Sequence, residues 1–199
     1  MPSLVEPPEL LVGDEREWRG WLESNHATSP GVKLVLARKG SREATSLSYD
    51  QALEEALCFG WIDGRGGRRD EATYTVRFQR RRARSQWSRR NVELAERLIA
   101  EGRMTPAGLA ELERARLDGR LESAYRGPAT IEVPDDLGAA LAGSPAAAEM
   151  FARLSSQNRF AVLYRLQTAK RPETRARRLR TFVEMLERGE TFHPQRRRA

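Results

Sequence analysis

Hydrophobic positions in the first 127 residues recur with two different periods. Alternation at residues 31–37 and 72–78 predicts two half-buried β-strands, and residues 61–64 fit a third short strand or a turn. The segment between them, residues 65–70, is rich in glycine and arginine and is predicted to be a loop. Helical spacing predicts four helices, at residues 17–26, from Ser48 to about Cys58, from near Ser88 to Gly102, and from Pro106 through Ala115.

Polar residues at helix starts support these boundaries. Ser48 and Gln51 have the spacing of a capping box, and Thr105-Pro106 has the chemistry of an N-cap followed by a first-turn proline. The apolar stripes predicted for the two later helices consist of Ala95, Leu98 and Ile99, and of Leu109, Leu112 and Ala115.

The second part of the chain carries only helical patterns. Two prolines and a lack of periodicity make residues 126–134 a predicted linker. Four helices are predicted after it, over residues 135–142, after Ser144-Pro145, after Ser155 or Ser156, and from Pro172 to Gly189. We therefore predict an α+β protein, with a small mixed α/β domain at residues 1–127 and an all-helical domain at residues 128–199.

Composition limits the compartment and the partners. The chain of 199 residues has a net charge of +7, and most of its cations are arginines. Arginine binds carboxylates and phosphates bidentately, although GC-rich codon usage produces the same bias. A single cysteine, Cys58, excludes an intramolecular disulfide. No secretion signal and no apolar stretch of about 20 residues is found, so we expect a cytoplasmic protein with no membrane span.

The motifs of well-known enzyme classes are missing. The sequence has no phosphate-binding glycine loop, no dinucleotide fingerprint, no paired metal histidines and no nucleophile elbow. It predicts no cofactor and no metal, and it leaves open whether the protein is an enzyme. The candidate acid–base residues are Asp63, in a turn, and His26, at a helix end where a structural role is the simpler interpretation.

Aromatic and basic residues concentrate between Phe59 and Asn91. Tryptophan faces can stack on a ring or a sugar, guanidinium groups can hold phosphate or carboxylate, and the same mixture lines single-stranded nucleic-acid grooves. The alternative is that the tryptophans belong to the core and the arginines to a solvated edge. The candidate ligand-binding residues are Trp61, Arg77, Arg80, Arg81, Arg82, Arg84, Trp87 and Asn91.

Four stretches resemble one known family across most of the chain. They are SYDQALEEALCFGWIDG from Ser48, residues 77–88 with Asn91, MTPAG from Met104, and AKRPETRARR from Ala169. Together they are similar to the YdeI/OmpD-associated family, also called bacteriocin-protection proteins. The resemblance implies an α/β N-terminal region, a helical C-terminal domain and an association with resistance to cationic antimicrobial peptides and envelope stress. It implies no established reaction.

Four functions remain open from the sequence. The first is a stress or resistance protein that binds an anionic small molecule or metabolite through the arginine and tryptophan segment. The second is a nucleic-acid-binding module, whose affinity would fall steeply with salt. The third is an enzyme that uses Asp63 or His26 beside an arginine. The fourth is a partner-binding protein with an exposed apolar patch on its C-terminal helices.

Overall fold

The structure is a computed structural model that describes residues 6–38, 40–41, 44–128 and 130–195. This part of the chain contains four strands and eight helices, which confirms the predicted α+β class. The chain forms two compact units. The first consists of residues up to Trp87 together with Asn91–Ser123, and the second of Ser88–Arg90 together with residues from Ala124 onward.

The first unit is built on a four-stranded mixed sheet. Its strands, in chain order, are β1 (Glu9–Leu10), β2 (Val32–Ala37), β3 (Trp61–Arg68) and β4 (Thr73–Arg80). They lie side by side in the order β1-β2-β4-β3, with β1 parallel to β2 and the other pairs antiparallel. The strand β3 therefore forms one edge of the sheet.

The loop predicted at residues 65–70 is wrong, because β3 continues to Arg68. Gly66, Gly67 and Arg68 pair with Val76, Thr75 and Tyr74 of β4, after a bulge between Asp63 and Gly66. Main-chain pairing needs no side chain, so a strand can run through glycines that sequence propensity assigns to a loop. The hairpin then turns at Asp70, whose carboxylate accepts hydrogen bonds from the amides of Ala72 and Thr73.

Burial of β2 also exceeds the prediction of a half-buried strand. Val35 is buried as well as the alternating Val32, Leu34 and Leu36. Side chains on successive strand positions point to opposite faces, so both faces of β2 are covered.

Aromatic rings form the core between the sheet and the first two helices, α1 (Glu15–Asn25) and α2 (Tyr49–Cys58). Trp18 stacks on Trp21 with ring centroids 5.4 Å apart and meets Phe78 of β4 at 5.7 Å. Trp61 contacts both tryptophans edge-on, and its ring is fully buried. The helix α2 begins as predicted, because Ser48 and Gln51 form both hydrogen bonds of a capping box.

Two further helices follow, α3 (Arg89–Ala100) and α4 (Pro106–Leu117), and both belong to the first unit apart from the first two residues of α3. Thr105 caps α4 as predicted, but the predicted apolar stripes are wrong at Ile99 and Leu109, which are 42% and 43% exposed. Instead α4 buries Gly108, Glu111 and Ala115.

The reason is a close contact between α4 and the end of α2. A β-carbon at Gly108 would lie 2.3 Å from the carbonyl oxygen of Cys58. Only a helix face with glycine at this point can approach so near, and the residue one turn later, Glu111, is thereby turned inward.

Four helices make up most of the second unit: α5 (Asp135–Ala142), α6 (Pro145–Ala152), α7 (Ser156–Gln167) and α8 (Pro172–Glu187). Ser144 caps α6 as predicted, and of the two serines predicted to open the next helix it is Ser155 that caps α7. The core of this unit includes Leu137, Phe151, Val162, Leu166, Phe182 and Leu186. Across the described residues, every helix is too short or too polar to cross a membrane.

The contact at Gly108 gives a test of stability. Gly108→Ala should lower the free energy of unfolding by about 1–3 kcal/mol, because the added methyl group overlaps a main-chain atom that cannot move away alone. Gly138→Ala in α5 is the matched control, since nothing lies within 4 Å of the added carbon. That variant should be as stable as the wild type or more so by up to about 1 kcal/mol. Urea unfolding measures the free energy of unfolding of both variants. Equal changes in the two variants would contradict the close contact at Gly108.

An ion pair in the second unit gives a test of pH dependence. Arg175 donates two hydrogen bonds to Asp136, at 2.7 and 2.8 Å, and these bonds lower the pKa of that carboxyl group. A carboxyl group with a lowered folded pKa stabilises the fold above its unfolded pKa and loses this effect as the pH falls through the folded value.

We expect Arg175→Met to cost about 1 kcal/mol at neutral pH, because solvent screens this partly exposed pair. The cost should shrink below about pH 4. The part of the cost that remains at low pH reflects the separate hydrogen bond from Arg175 to the Leu166 carbonyl. Urea unfolding at a series of pH values, with exposed Arg177→Met as the control, measures this, and a cost that does not change with pH would contradict it.

Candidate functional site

A cleft of about 250 Å³ in the first unit brings together three of the residues singled out in the sequence, His26, Arg80 and Arg81. The end of α1 supplies His26, and β4 and the segment after it supply the arginines. The remaining lining residues are Ala27, Phe59, Gly60, Ala107, Glu111 and Arg114. The turn after α2 and one face of α4 therefore form most of the remaining wall.

The imidazole of His26 is held in one orientation. Its Nδ1 lies 2.9 Å from the Leu22 carbonyl oxygen, and a carbonyl only accepts hydrogen bonds. The neutral ring therefore carries its proton on Nδ1, which leaves Nε2 as an acceptor. The ring of Phe59 packs against the imidazole, with centroids 5.2 Å apart.

Arg81 is the most constrained cation of the cleft. Its guanidinium group lies over Trp87, 3.6 Å from the ring centroid, and donates to the Gln86 carbonyl at 3.2 Å. The amide of Arg81 donates to the Gly60 carbonyl at 3.1 Å, which fixes the main chain at the end of β4. Only 6% of the residue is exposed. The planar cation is thus held in place before any ligand arrives.

The two other arginines lie nearer the solvent. Arg80 donates to the Ala27 carbonyl at 3.0 Å and is otherwise exposed. Arg114 forms an ion pair with Glu111 one helical turn earlier, and 55% of its side chain is exposed. Both guanidinium groups keep donors available at the rim of the cleft.

The sequence prediction missed two charged residues of the cleft, Arg114 and Glu111. Glu111 is 4% exposed and pairs with Arg114 and with buried Arg120, the latter at 3.2 Å. Arg120 also donates to the Ser85 carbonyl at 3.0 Å, so the same cluster holds the segment after β4. The predicted apolar stripe of α4 would have left Glu111 on the solvent-facing side of the helix. The sequence signal for its burial was Gly108, which lies on the face of α4 that is closest to α2.

The structure places the other predicted site residues outside the cleft. Trp61 is buried and donates its indole N–H to the His26 carbonyl at 3.1 Å, and Trp87 is 2% exposed beneath Arg81. Asp63 accepts a hydrogen bond from the Tyr49 hydroxyl at 2.9 Å. Arg77 is half-buried opposite Lys33 in the sheet, Asn91 is buried, and Arg82 and Arg84 are exposed. Their roles in ligand binding stay predictions.

A second group of charges surrounds the end of α2. Arg103 pairs with Glu15, Glu54 and buried Glu55, and Arg19 pairs with Glu55 at 2.6 Å. Burial raises the pKa of the Cys58 thiol beside them to about 11. This thiol is therefore protonated at neutral pH and is a poor nucleophile.

The second unit has a cleft of its own, about 440 Å³ in volume. Its lining includes the apolar residues Ile131, Val133 and Leu163, together with Arg126, Glu132 and Arg175. Each of these charged residues has a partner: Arg126 pairs with Glu132, and Arg175 pairs with Asp136. The three charged residues named here are thus compensated within the protein.

Comparison with known proteins assigns both parts of the chain to families. Residues 10–111 match a domain of unknown function (DUF8412), and residues 130–189 match the OmdA family, described as "Bacteriocin-protection, YdeI or OmpD-Associated". No curated protein and no solved structure matches the chain. The chain therefore belongs to the DUF8412 domain family, and its residues 130–189 match the YdeI/OmpD-associated family that the sequence resembles. Of the four stretches that carry the resemblance, only the one from Ala169 lies in that match, and the other three lie in the DUF8412 domain.

Proposed function

We propose that the cleft of the first unit binds a small anionic molecule. The observation that supports this is its lining, in which three guanidinium groups, those of Arg80, Arg81 and Arg114, accompany a single carboxylate. That carboxylate, on Glu111, is already paired with Arg114 and Arg120. A ligand in the cleft therefore meets an excess of positive charge, which favours an anion.

The geometry of Arg81 suits recognition of carboxylate or phosphate. Guanidinium groups donate paired hydrogen bonds to planar or tetrahedral oxyanions. Trp87 beneath the group and the bond to Gln86 already restrict its motion. Binding then costs less side-chain entropy than it would with a freely moving arginine.

Burial of both tryptophans favours the small molecule over a nucleic acid. Sequence-independent binding of single strands depends on aromatic faces that are open to the bases. Trp61 has no exposed surface, and the face of Trp87 is occupied by Arg81. The basic segment therefore lacks the stacking surfaces that this alternative needs.

A second candidate function is acid–base catalysis on the bound anion. His26 lines the same cleft as the arginines, with Nδ1 committed to a carbonyl and Nε2 available to accept a proton. Positioned imidazoles of this kind are the commonest general bases. Asp63, the other candidate, is not part of this lining.

The family points to the physiological setting. The OmdA description names bacteriocin protection, and we infer that this chain acts in resistance to antimicrobial peptides or in the associated stress response. We propose that the protein acts in the cytoplasm, because Cys58 is a free, buried thiol and needs no oxidising compartment.

Anion binding is tested by calorimetric titration with phosphate, pyrophosphate and citrate. We expect at least one of the three to bind the wild type, and the Arg80→Gln/Arg114→Gln variant to bind it at least about tenfold more weakly, which is about 1.4 kcal/mol. Arg116→Gln is the control, because this exposed residue of α4 pairs with Glu113 and does not line the cleft. The proposal would be wrong if the wild type bound none of the three anions, or if all three proteins bound an anion equally well.

The resistance role is tested by survival of a bacteriocin-sensitive bacterium that expresses the chain. Expression of the wild type should raise survival, and the Arg80→Gln/Arg114→Gln variant should give less protection if the cleft is involved. The Arg116→Gln variant again serves as the control. Survival that is the same with and without the wild-type chain would contradict the role.

A further inference from the structure

The outer edge of β3 is a separate feature of the first unit and does not line the anion cleft. β3 pairs with β4 on one side only. All seven residues from Gly64 to Asp70 are exposed. In an antiparallel strand, alternate residues direct their N–H and C=O groups away from the neighbouring strand. Within the described part of the chain, nothing pairs with these groups on β3.

Three glycines leave this edge almost bare, and the fold does not require two of them. None of Gly64, Gly66 and Gly67 has a positive φ. A β-carbon at Gly64 or Gly66 would find its nearest neighbour at 3.6 Å, an ordinary contact. Glycine nevertheless weakens a strand by about 0.5–1 kcal/mol relative to alanine. Glycine in such places often marks the close approach of another molecule to the main chain.

Arginine gives the edge its charge. Arg65 and Arg68 are exposed, and neither forms an ion pair with another described residue. Arg69, just beyond the strand, is by contrast paired with Glu9 and Asp70. An edge with two available guanidinium groups favours a partner that brings carboxylates.

These charges also discriminate between partners. A second copy added edge to edge would set Arg65 and Arg68 near each other across the junction, and like charges on adjoining strands repel. A single-stranded nucleic acid would need open aromatic faces, but Tyr74, the ring nearest along the paired strand, is half-buried with Arg38 over it. An extended acidic peptide meets neither obstacle.

We propose that β3 is a docking edge for an extended acidic peptide segment, which adds to the sheet as a fifth strand. Main-chain hydrogen bonds to β3 provide affinity, as in other cases of strand addition. Arg65 and Arg68 select carboxylate side chains on the added strand. The bare glycine positions leave room for the side chains of the peptide against both faces of the edge. This site does not depend on the anion cleft.

The test uses the full chain and an octapeptide of alternating glutamate and threonine. Amide exchange by NMR should slow at alternate residues of β3 when the peptide is added, which a purely electrostatic contact would not cause. Reversal of charge in Arg65→Glu/Arg68→Glu should weaken peptide binding by at least about tenfold. Arg177→Glu/Arg180→Glu, on the exposed face of α8, is the control and should bind as the wild type does.

Three results would overturn the proposal. The first is that the peptide does not bind the wild type. Melting temperatures confirm that all variants fold, so that a loss of binding is not a loss of structure. The second is binding without protection of β3 amides, which would place the peptide elsewhere. The third is binding of octathymidylate, but not of the peptide, in a manner lost in Arg65→Glu/Arg68→Glu, which would make the edge a nucleic-acid surface.

Discussion

The carbonyl group of Cys58 is the point on which the first unit depends. It accepts hydrogen bonds from both the amide and the hydroxyl group of Thr105, at 3.1 and 2.6 Å, and Gly108 packs directly against it. The residue that caps α4 therefore also bonds a carbonyl group at the buried C-terminus of α2, where the last carbonyls lack partners within the helix. This junction fixes the rotation of α4, which turns Glu111 toward the cleft and sets Arg114 at its rim.

Arginine has two kinds of surroundings in this protein. Arg103 and Arg120 each pair with more than one carboxylate, among them the buried Glu55 and Glu111, so these two arginines compensate buried negative charge within the fold. Arg65 and Arg68 on β3 are exposed, without ion pairs to other described residues. Composition counts both kinds alike, so the net charge of +7 gives only the sign of the expected partner. The position of each guanidinium group decides whether it stabilises the fold or is available to a ligand.

The sequence predicted those parts of the fold that local interactions determine. Helix starts at Ser48, Thr105, Ser144 and Ser155 agree with the structure, because a side chain caps amides only two or three residues away. The strand at residues 65–68 was missed since its pairing with β4 involves main-chain groups whose partners are set by register, to which the glycines of the sequence give no signal.

The candidate site was predictable only in part for the same reason. The sequence by itself determined the α+β class, the family and a basic segment that contains Arg80 and Arg81. Tertiary structure alone decided that His26 joins these arginines, that both tryptophans are buried and that Glu111 faces inward. Helix periodicity identifies which residues share a face, but the direction of that face depends on contacts with distant residues. For α4 that contact is Gly108 against Cys58, 50 positions apart along the chain.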